Sequence, residues 1–273
     1  KAAREAGFTV VLDGQGADEM LAGYPNFVAA HLRSKIHTGS YLCALEFVGK
    51  WYQWTKRDKK DVMRLIFDSL APLTLKGHAR RALGYDLTPD WIDPQWLKRE
   101  GVKVGHARTT IDLYPASSRC LVDMLRNSLT GKGLPSLLRH GDRNSMRWSV
   151  ESRVPFLTTE LAEFLLKLPE SYLLSPAGET KSVFRAAMRG IVPDAILDRR
   201  DKIGFRTPER HLLRPSRHLF ERTWLESGGI PFLKHPQCTK AIRNALSAER
   251  VYKPVAWRLL NISRWLTVNK LNL

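Results

Sequence analysis

One stretch near the start restricts the fold more than any other: Phe8-Thr-Val-Val-Leu-Asp-Gly-Gln-Gly-Ala-Asp-Glu-Met-Leu-Ala-Gly-Tyr24. Phe8 to Leu12 is an apolar run rich in β-branched residues, the pattern of a buried strand. Asp13-Gly14-Gln15-Gly16 follows, and its glycines let the backbone turn sharply and approach a ligand closely. Asp18 and Glu19 stand where a helix would begin, and Gly23 is where it would stop. A strand, a glycine loop and a helix N-terminus together suit a phosphate group, because free N–H groups point at it. Carboxylates in the same place suit Mg²⁺, which takes one or two of them plus phosphate oxygens. Alone, the pattern is equally that of a structural turn whose acidic residues complement a helix dipole. Corroboration has to come from elsewhere in the chain.

Composition removes several function classes. With 43% hydrophobic and 26% charged residues, the chain has the make-up of an ordinary soluble globular protein. Its 273 residues suit one large domain or two small ones. No apolar run approaches the roughly 18 residues of a membrane span, and the opening Lys1-Ala-Ala-Arg-Glu5 is charged and helical rather than a signal peptide. The chain opens mid-helix without a methionine, which reads as a piece of a longer protein. Cys43, Cys120 and Cys238 form no paired framework, pointing to a reducing compartment, the cytoplasm, and away from structural zinc. The histidines show no metal-ligand spacing.

Charge is the outlier, 44 Lys and Arg against 27 Asp and Glu, or +17. That balance favours anionic partners. The basic residues are scattered, however, and no nucleic-acid module accompanies them, so no specific nucleic-acid partner is expected.

Along the chain, helical spacing predicts helices over Phe27–Ile36, Tyr41–Thr55, from Asp58 to about Leu70, Ser118–Gly131 and Thr159–Leu168. Glu179–Arg189 reads as another, with Lys181 and Arg185 on one face. Pro193–Leu197 reads as a helical turn, and Ala71–Ser117 as loops and short helices covering the site. Arg199–Pro208 is a basic glycine-containing loop, and beyond Arg210 the pattern is helices with Trp224, Trp257 and Trp265 on apolar faces. Between Leu134 and Leu157, Arg139, Asp142, Arg143, Glu151 and Arg153 stand among apolar residues, and such charges are expensive unless paired. The bland reading is a buried ion-pair network; the functional one is substrate contact.

Three of these stretches in this order resemble the synthetase domain of glutamine-dependent asparagine synthetases. They are Val11 to Tyr24, Leu138-Arg-His-Gly-Asp-Arg-Asn-Ser-Met146 through Glu151-Ser-Arg-Val-Pro-Phe-Leu157, and Lys181-Ser-Val-Phe-Arg185 with Arg200-Asp-Lys-Ile-Gly-Phe205. The resemblance implies an α/β fold, the adenine-nucleotide alpha-hydrolase-like (PP-loop ATPase) synthetase domain. Residues 1–273 would be its C-terminal portion, predominantly helical with one or two strands of its parallel sheet. It implies ATP and Mg²⁺, a carboxylate substrate such as aspartate activated as an acyl-adenylate, and ammonia from a glutaminase domain. A second copy of the chain is a compatible partner.

By the same resemblance, Asp18 would hold Mg²⁺ on the pyrophosphate. Lys202, with Lys181 and Glu151, would serve the reacting groups. Asp13, Gly14, Gln15 and Gly16 would line the acyl-adenylate pocket, while Arg139, Asp142, Arg143 and Arg153 would contact or support substrate. The family often has Ser at the position of Asp13, Glu at Gln15 and Asp at Thr158. Those departures leave room for an acceptor other than aspartate, such as a sugar acid or peptide carboxylate, or for a catalytically inactive anion-binding module. The family's Ser-Gly-Gly-x-Asp-Ser loop and N-terminal cysteine are not in the sequence, so the chain alone is expected to be catalytically incomplete.

Overall fold

The computed structural model describes residues 1–55, 58–70, 89–102, 118–131, 133–200, 215, 217–226, 229–247 and 255–271. Most of these are helical. α1 (Ala2–Glu5) leads to β1 (Val10–Leu12), then α2 (Ala17–Met20), α3 (Asn26–His37), α4 (Tyr41–Thr55) and α5 (Lys59–Leu70). α6 (Pro94–Arg99), α7 (Cys120–Thr130) and α8 (Leu134–Met146) precede β2 (Glu151–Arg153), and α9 (Thr159–Lys167), α10 (Glu170–Leu173), α11 (Ser182–Ala187) and α12 (Asp194–Leu197) follow it. The last three are α13 (Arg217–Glu226), α14 (His235–Ser247) and α15 (Val255–Val268). The chain divides into two compact units, Lys1–Lys76 with Arg108–Lys202, and Gly77–Ala107 with Ile203–Leu273. No helix among the described residues is long and apolar enough to cross a membrane.

In the first unit β1 and β2 pair in parallel, Val10 beside Glu151 and Leu12 beside Arg153. The ladder continues at both ends, where Glu151 N donates to Thr9 O and Asp13 N to Arg153 O, both at 2.8 Å. The strand is shorter than expected, starting at Val10, and it is not buried: Phe8 is 61% and Leu12 75% exposed. A strand's side chains alternate between faces, and the face that Val10 and Leu12 share is open.

The core of this unit lies among helices instead. Met20, Phe27, Phe47, Leu121, Leu125, Leu173 and Leu174 are fully enclosed, each contributing about 1.5–3 kcal/mol by leaving water. α3 is the central element, packed against α4, α5 and α7. Glu170 ties α3, α7 and α10 together. Its Oε2 lies 2.9 Å from His31 Nδ1, and its Oε1 accepts from Ser34 Oγ (3.0 Å) and Val122 N (3.4 Å).

In the second unit α14 and α15 pack around Trp224, Cys238, Ile242, Leu259 and Leu260. Trp224 Nε1 donates to Thr239 Oγ1 at 2.9 Å, which satisfies the indole inside the core. Trp257 and Trp265 depart from expectation and are exposed. α15 buries the stripe Ala256, Leu259, Leu260, Ser263 and Leu266, and at 100° per residue both tryptophans fall outside it. Asp93 starts α6 by accepting from Gln95 N (2.9 Å) and Trp96 N (3.2 Å). The rest of the expected cover over 71–117 lies largely outside the described residues.

Candidate functional site

β1 ends at Leu12, and Asp13–Gly16 turns the chain into α2. Gly16 has φ +97°, and a Cβ there would fall 2.3 Å from Leu157 Cδ2, so conformation and space both demand glycine. Gly14 faces open space. α2 is a single turn that ends well before Gly23, because Ala22 adopts φ +55° and breaks the helical path. So short a helix carries little of the dipole expected to hold phosphate.

The two acidic residues of α2 have separate duties. Glu19 is buried, its Oε2 accepting from Gly16 N (3.1 Å) and its Oε1 from the Tyr24 hydroxyl (2.6 Å). It closes its own turn, and at 1% exposure it does not face a ligand. Burial, and then the bond to Glu19, push the Tyr24 hydroxyl well above the ordinary tyrosine range. Asp18 points the other way, and its Oδ1 lies 2.8 Å from Lys181 Nζ.

Lys181 does not sit within a helix as its spacing suggested. It precedes α11 with φ +58°, and its backbone N donates to Leu21 O at 3.0 Å. The tertiary bond to the end of α2 fixes a left-handed conformation that a lysine adopts only at a cost of about 1–3 kcal/mol. Arg185 is anchored through Nε to Thr180 O (2.8 Å) and through Nη1 to Leu197 O, which braces α11 against α12.

Asp18 and Lys181 line a cavity of 260 Å³ in the first unit, together with Gly23, Trp51, Trp54, Thr180, Arg185 and Arg200 among others. Arg200 lies over the Trp54 ring, 5.5 Å from its centroid, and donates to Trp54 O at 3.2 Å. Three cations therefore face one carboxylate, and the cavity suits a ligand with several negative charges. Gly23, the two tryptophans and Thr180 were not evident from sequence as parts of a site. Gly23 reads there only as a helix stop.

The other expected residues lie elsewhere. Arg139, Asp142 and Arg143 are exposed on α8 and do not line this cavity. Glu151 and Arg153 are exposed too, paired with each other at 2.9 Å on β2, where the arginine holds the Glu151 carboxyl below its usual range. The buried ion-pair network is thereby corrected: α8 buries only Leu134, and its charges remain in water. Arg153 reaches the loop through backbone alone, by its carbonyl bond from Asp13 N. Lys202 lies outside the described residues. Thr158 is the N-cap of α9, its Oγ1 accepting from Leu161 N at 3.3 Å.

Among the described residues no group of three or more His, Cys, Asp or Glu side chains could hold a metal. A site resting on Asp18 would draw its remaining ligands from phosphate and water, the habit of Mg²⁺. The carboxylate fits that role, since its Oδ1 already faces a cation inside a positive cavity.

A model of the asparagine synthase family matches residues 1–267. The chain belongs to that family. As an asparagine synthase relative it is 40% identical over 78 residues, 29% of the chain, to glutamine-hydrolyzing asparagine synthetase 1 of Bacillus subtilis (strain 168). It is 27% identical over 197 residues, 71% of the chain, to asparagine synthetase 3 of the same organism. These matches cover 12% and 26% of the two proteins, so the chain spans well under two thirds of either relative. No solved structure matches.

Proposed function

We propose that this chain is the C-terminal portion of the synthetase domain, of PP-loop ATPase type, of an ATP-using, glutamine-dependent amide-forming ligase, with asparagine synthesis as the leading reaction. The observation that carries the reading is the Asp18–Lys181 pair at the mouth of the strand–loop–turn, inside a cavity where cations outnumber carboxylates.

In this reaction a substrate carboxylate oxygen attacks the α-phosphorus of ATP, the bond to the pyrophosphate oxygen breaks, and an acyl-adenylate forms. Ammonia from a glutaminase domain then attacks the acyl carbon and AMP leaves, giving the amide. Negative charge grows on the leaving pyrophosphate, so cations aimed there lower the barrier. Mg²⁺ held by Asp18 would neutralise part of that charge. Lys181 and Arg200 supply positive charge from the cavity wall, and Lys202 is proposed to add to it. The backbone of Asp13, Gly14 and Gln15, half-exposed beyond β1, would line the nucleotide side. Glu151 and Arg153 flank that loop through the sheet.

Gln15 favours a second acceptor class. An amide cannot accept a proton or pair with an ammonium as the family's usual glutamate can, so a sugar acid or peptide carboxylate is the alternative to aspartate. The test is pyrophosphate release from ATP by the polypeptide of the complete reading frame, with aspartate and with glutamine or ammonia. Asp18→Asn and Lys202→Met should each lower the rate at least about a hundredfold. A rate equal to that of the unaltered protein in both variants would remove the reading. Gln15→Glu should raise aspartate use if the pocket is otherwise that of an asparagine synthetase.

A further inference from the structure

We propose that Lys181 is an exchangeable counter-ion for Asp18, holding in the free protein the place at Oδ1 that a divalent cation takes, and that Gly23 is the seat that keeps the two together. The inference rests on the metal role given to Asp18 above.

Three observations converge. The first is the ion pair itself, 2.8 Å between Nζ and Oδ1, with the two side chains only 27% and 19% exposed. A shielded carboxylate is costly without a partner, and the ammonium supplies one. The second is how Lys181 is held. Its backbone is anchored on Leu21 O and locked at φ +58°, so the side chain is aimed while its tip stays movable. The third is Gly23. It is not among the glycines with positive φ, so its backbone does not demand glycine. What a side chain would disturb is the pair: a Cβ there would lie 1.9 Å from Asp18 Oδ1 and 2.8 Å from Lys181 Cε. The pair is laid across the bare Cα of Gly23, and a methyl group would drive it apart.

An ammonium and a metal ion compete for the same oxygen. Displaced, Lys181 remains tethered beside Arg185 and Arg200 in a cavity that suits a polyanion. Asp18 therefore keeps a cation at every stage, and the ammonium is freed where an anionic ligand would meet it. In this role Lys181 and Gly23 are positioning residues that act through Asp18.

The experiment titrates the whole chain with Mn²⁺ alone, at about 0.15 M ionic strength, and follows free Mn²⁺ by its electron paramagnetic resonance. Removing the competitor in Lys181→Met should tighten Mn²⁺ binding about fivefold or more, the scale of an ordinary coupling between ligands. Lys181→Gly accepts the positive φ without strain and should tighten it equally, which covers the case of a misfolded methionine variant. Arg200→Met removes a charge from the same cavity and should change binding less than about twofold, since its guanidinium is held at Trp54. Asp18→Asn in either Lys181 background should abolish the site. In Gly23→Ala, pulsed acetylation mapped by mass spectrometry should find Lys181 markedly more reactive than in the unaltered chain.

Asp18-dependent Mn²⁺ binding that is unchanged in both Lys181 variants would overturn the exchange and leave the metal role standing. Tightening in Arg200→Met as large as in Lys181→Met would overturn it as well, since general charge would then explain the effect. Unchanged Lys181 acetylation in Gly23→Ala would overturn the seat. Binding indifferent to Asp18 in every variant, with inorganic phosphate present as well as without it, would remove the metal role itself.

Discussion

Asp18 and Glu19 are neighbours on one helical turn, yet they should respond to mutation in opposite ways. Glu19→Ala leaves the Gly16 amide and the Tyr24 hydroxyl without their acceptor inside the fold, which should cost about 2–3 kcal/mol in urea unfolding. Asp18→Asn removes the carboxylate's charge but keeps a carbonyl oxygen for the Lys181 ammonium to donate to, and should cost about 1 kcal/mol. A stability loss at Asp18 equal to that at Glu19 would make the pair a structural brace rather than a site. Cys238 makes a pH prediction. Burial raises its thiol from 9.0 to about 11, so the folded state favours the neutral form. The resulting stability is fully present below pH 9.0 and is lost as pH climbs through about 11. Thermal unfolding of Cys238→Ala should lack that part of the alkaline decline. Iodoacetamide should accordingly modify exposed Cys43 first and reach Cys238 only on unfolding.

At the scale of the element, Thr158 shows how a departure from a family pattern can be physically small. Its hydroxyl caps α9, a task aspartate performs equally well. Thr158→Ala should cost about 1 kcal/mol, and Thr158→Asp should be near neutral in thermal melts. The change therefore carries no information about the acceptor, which leaves Asp13 and Gln15 as the departures that bear on it. The longer helices were legible from spacing alone, with Tyr41–Thr55 correct at both ends and Cys120–Thr130 within two residues of its expected start. α2 and the start of α11 were not. Positive φ at Ala22 and Lys181 ends or delays them, and at Lys181 that angle is fixed by a hydrogen bond to distant Leu21, which local pattern does not encode. The charges of Leu134–Leu157 were misread for a related reason. An apolar neighbour in sequence implies burial only where another element packs on it, and Met146 and Trp148 are themselves exposed beside those charges.

At the scale of the molecule, the candidate site was half-legible. Asp18 and Lys181 were named from sequence and do meet, whereas the cavity joining them is assembled from α4, the segment before α11 and Arg200, which only the fold brings together. The open face of the β1–β2 sheet was not foreseen, because a parallel pair is usually clothed on both sides. Replacing Phe8 and Leu12 together by serine should lower the fluorescence of bound anilinonaphthalene sulfonate while leaving far-UV circular dichroism unchanged. An unaltered dye signal would place the dye elsewhere, for example against exposed Leu42 and Leu45 of α4.

The same open sheet face sets the colloidal behaviour of residues 1–273 taken alone. A net charge of +17 holds separate molecules apart, and that repulsion fades as the Debye length shrinks from about 10 Å at 0.1 M salt to about 3 Å at 1 M. The bare strand face answers to the opposite trend, since apolar attraction is not screened. Light scattering should therefore rise with added sodium chloride, so that this basic protein keeps best in dilute buffer and salts out early.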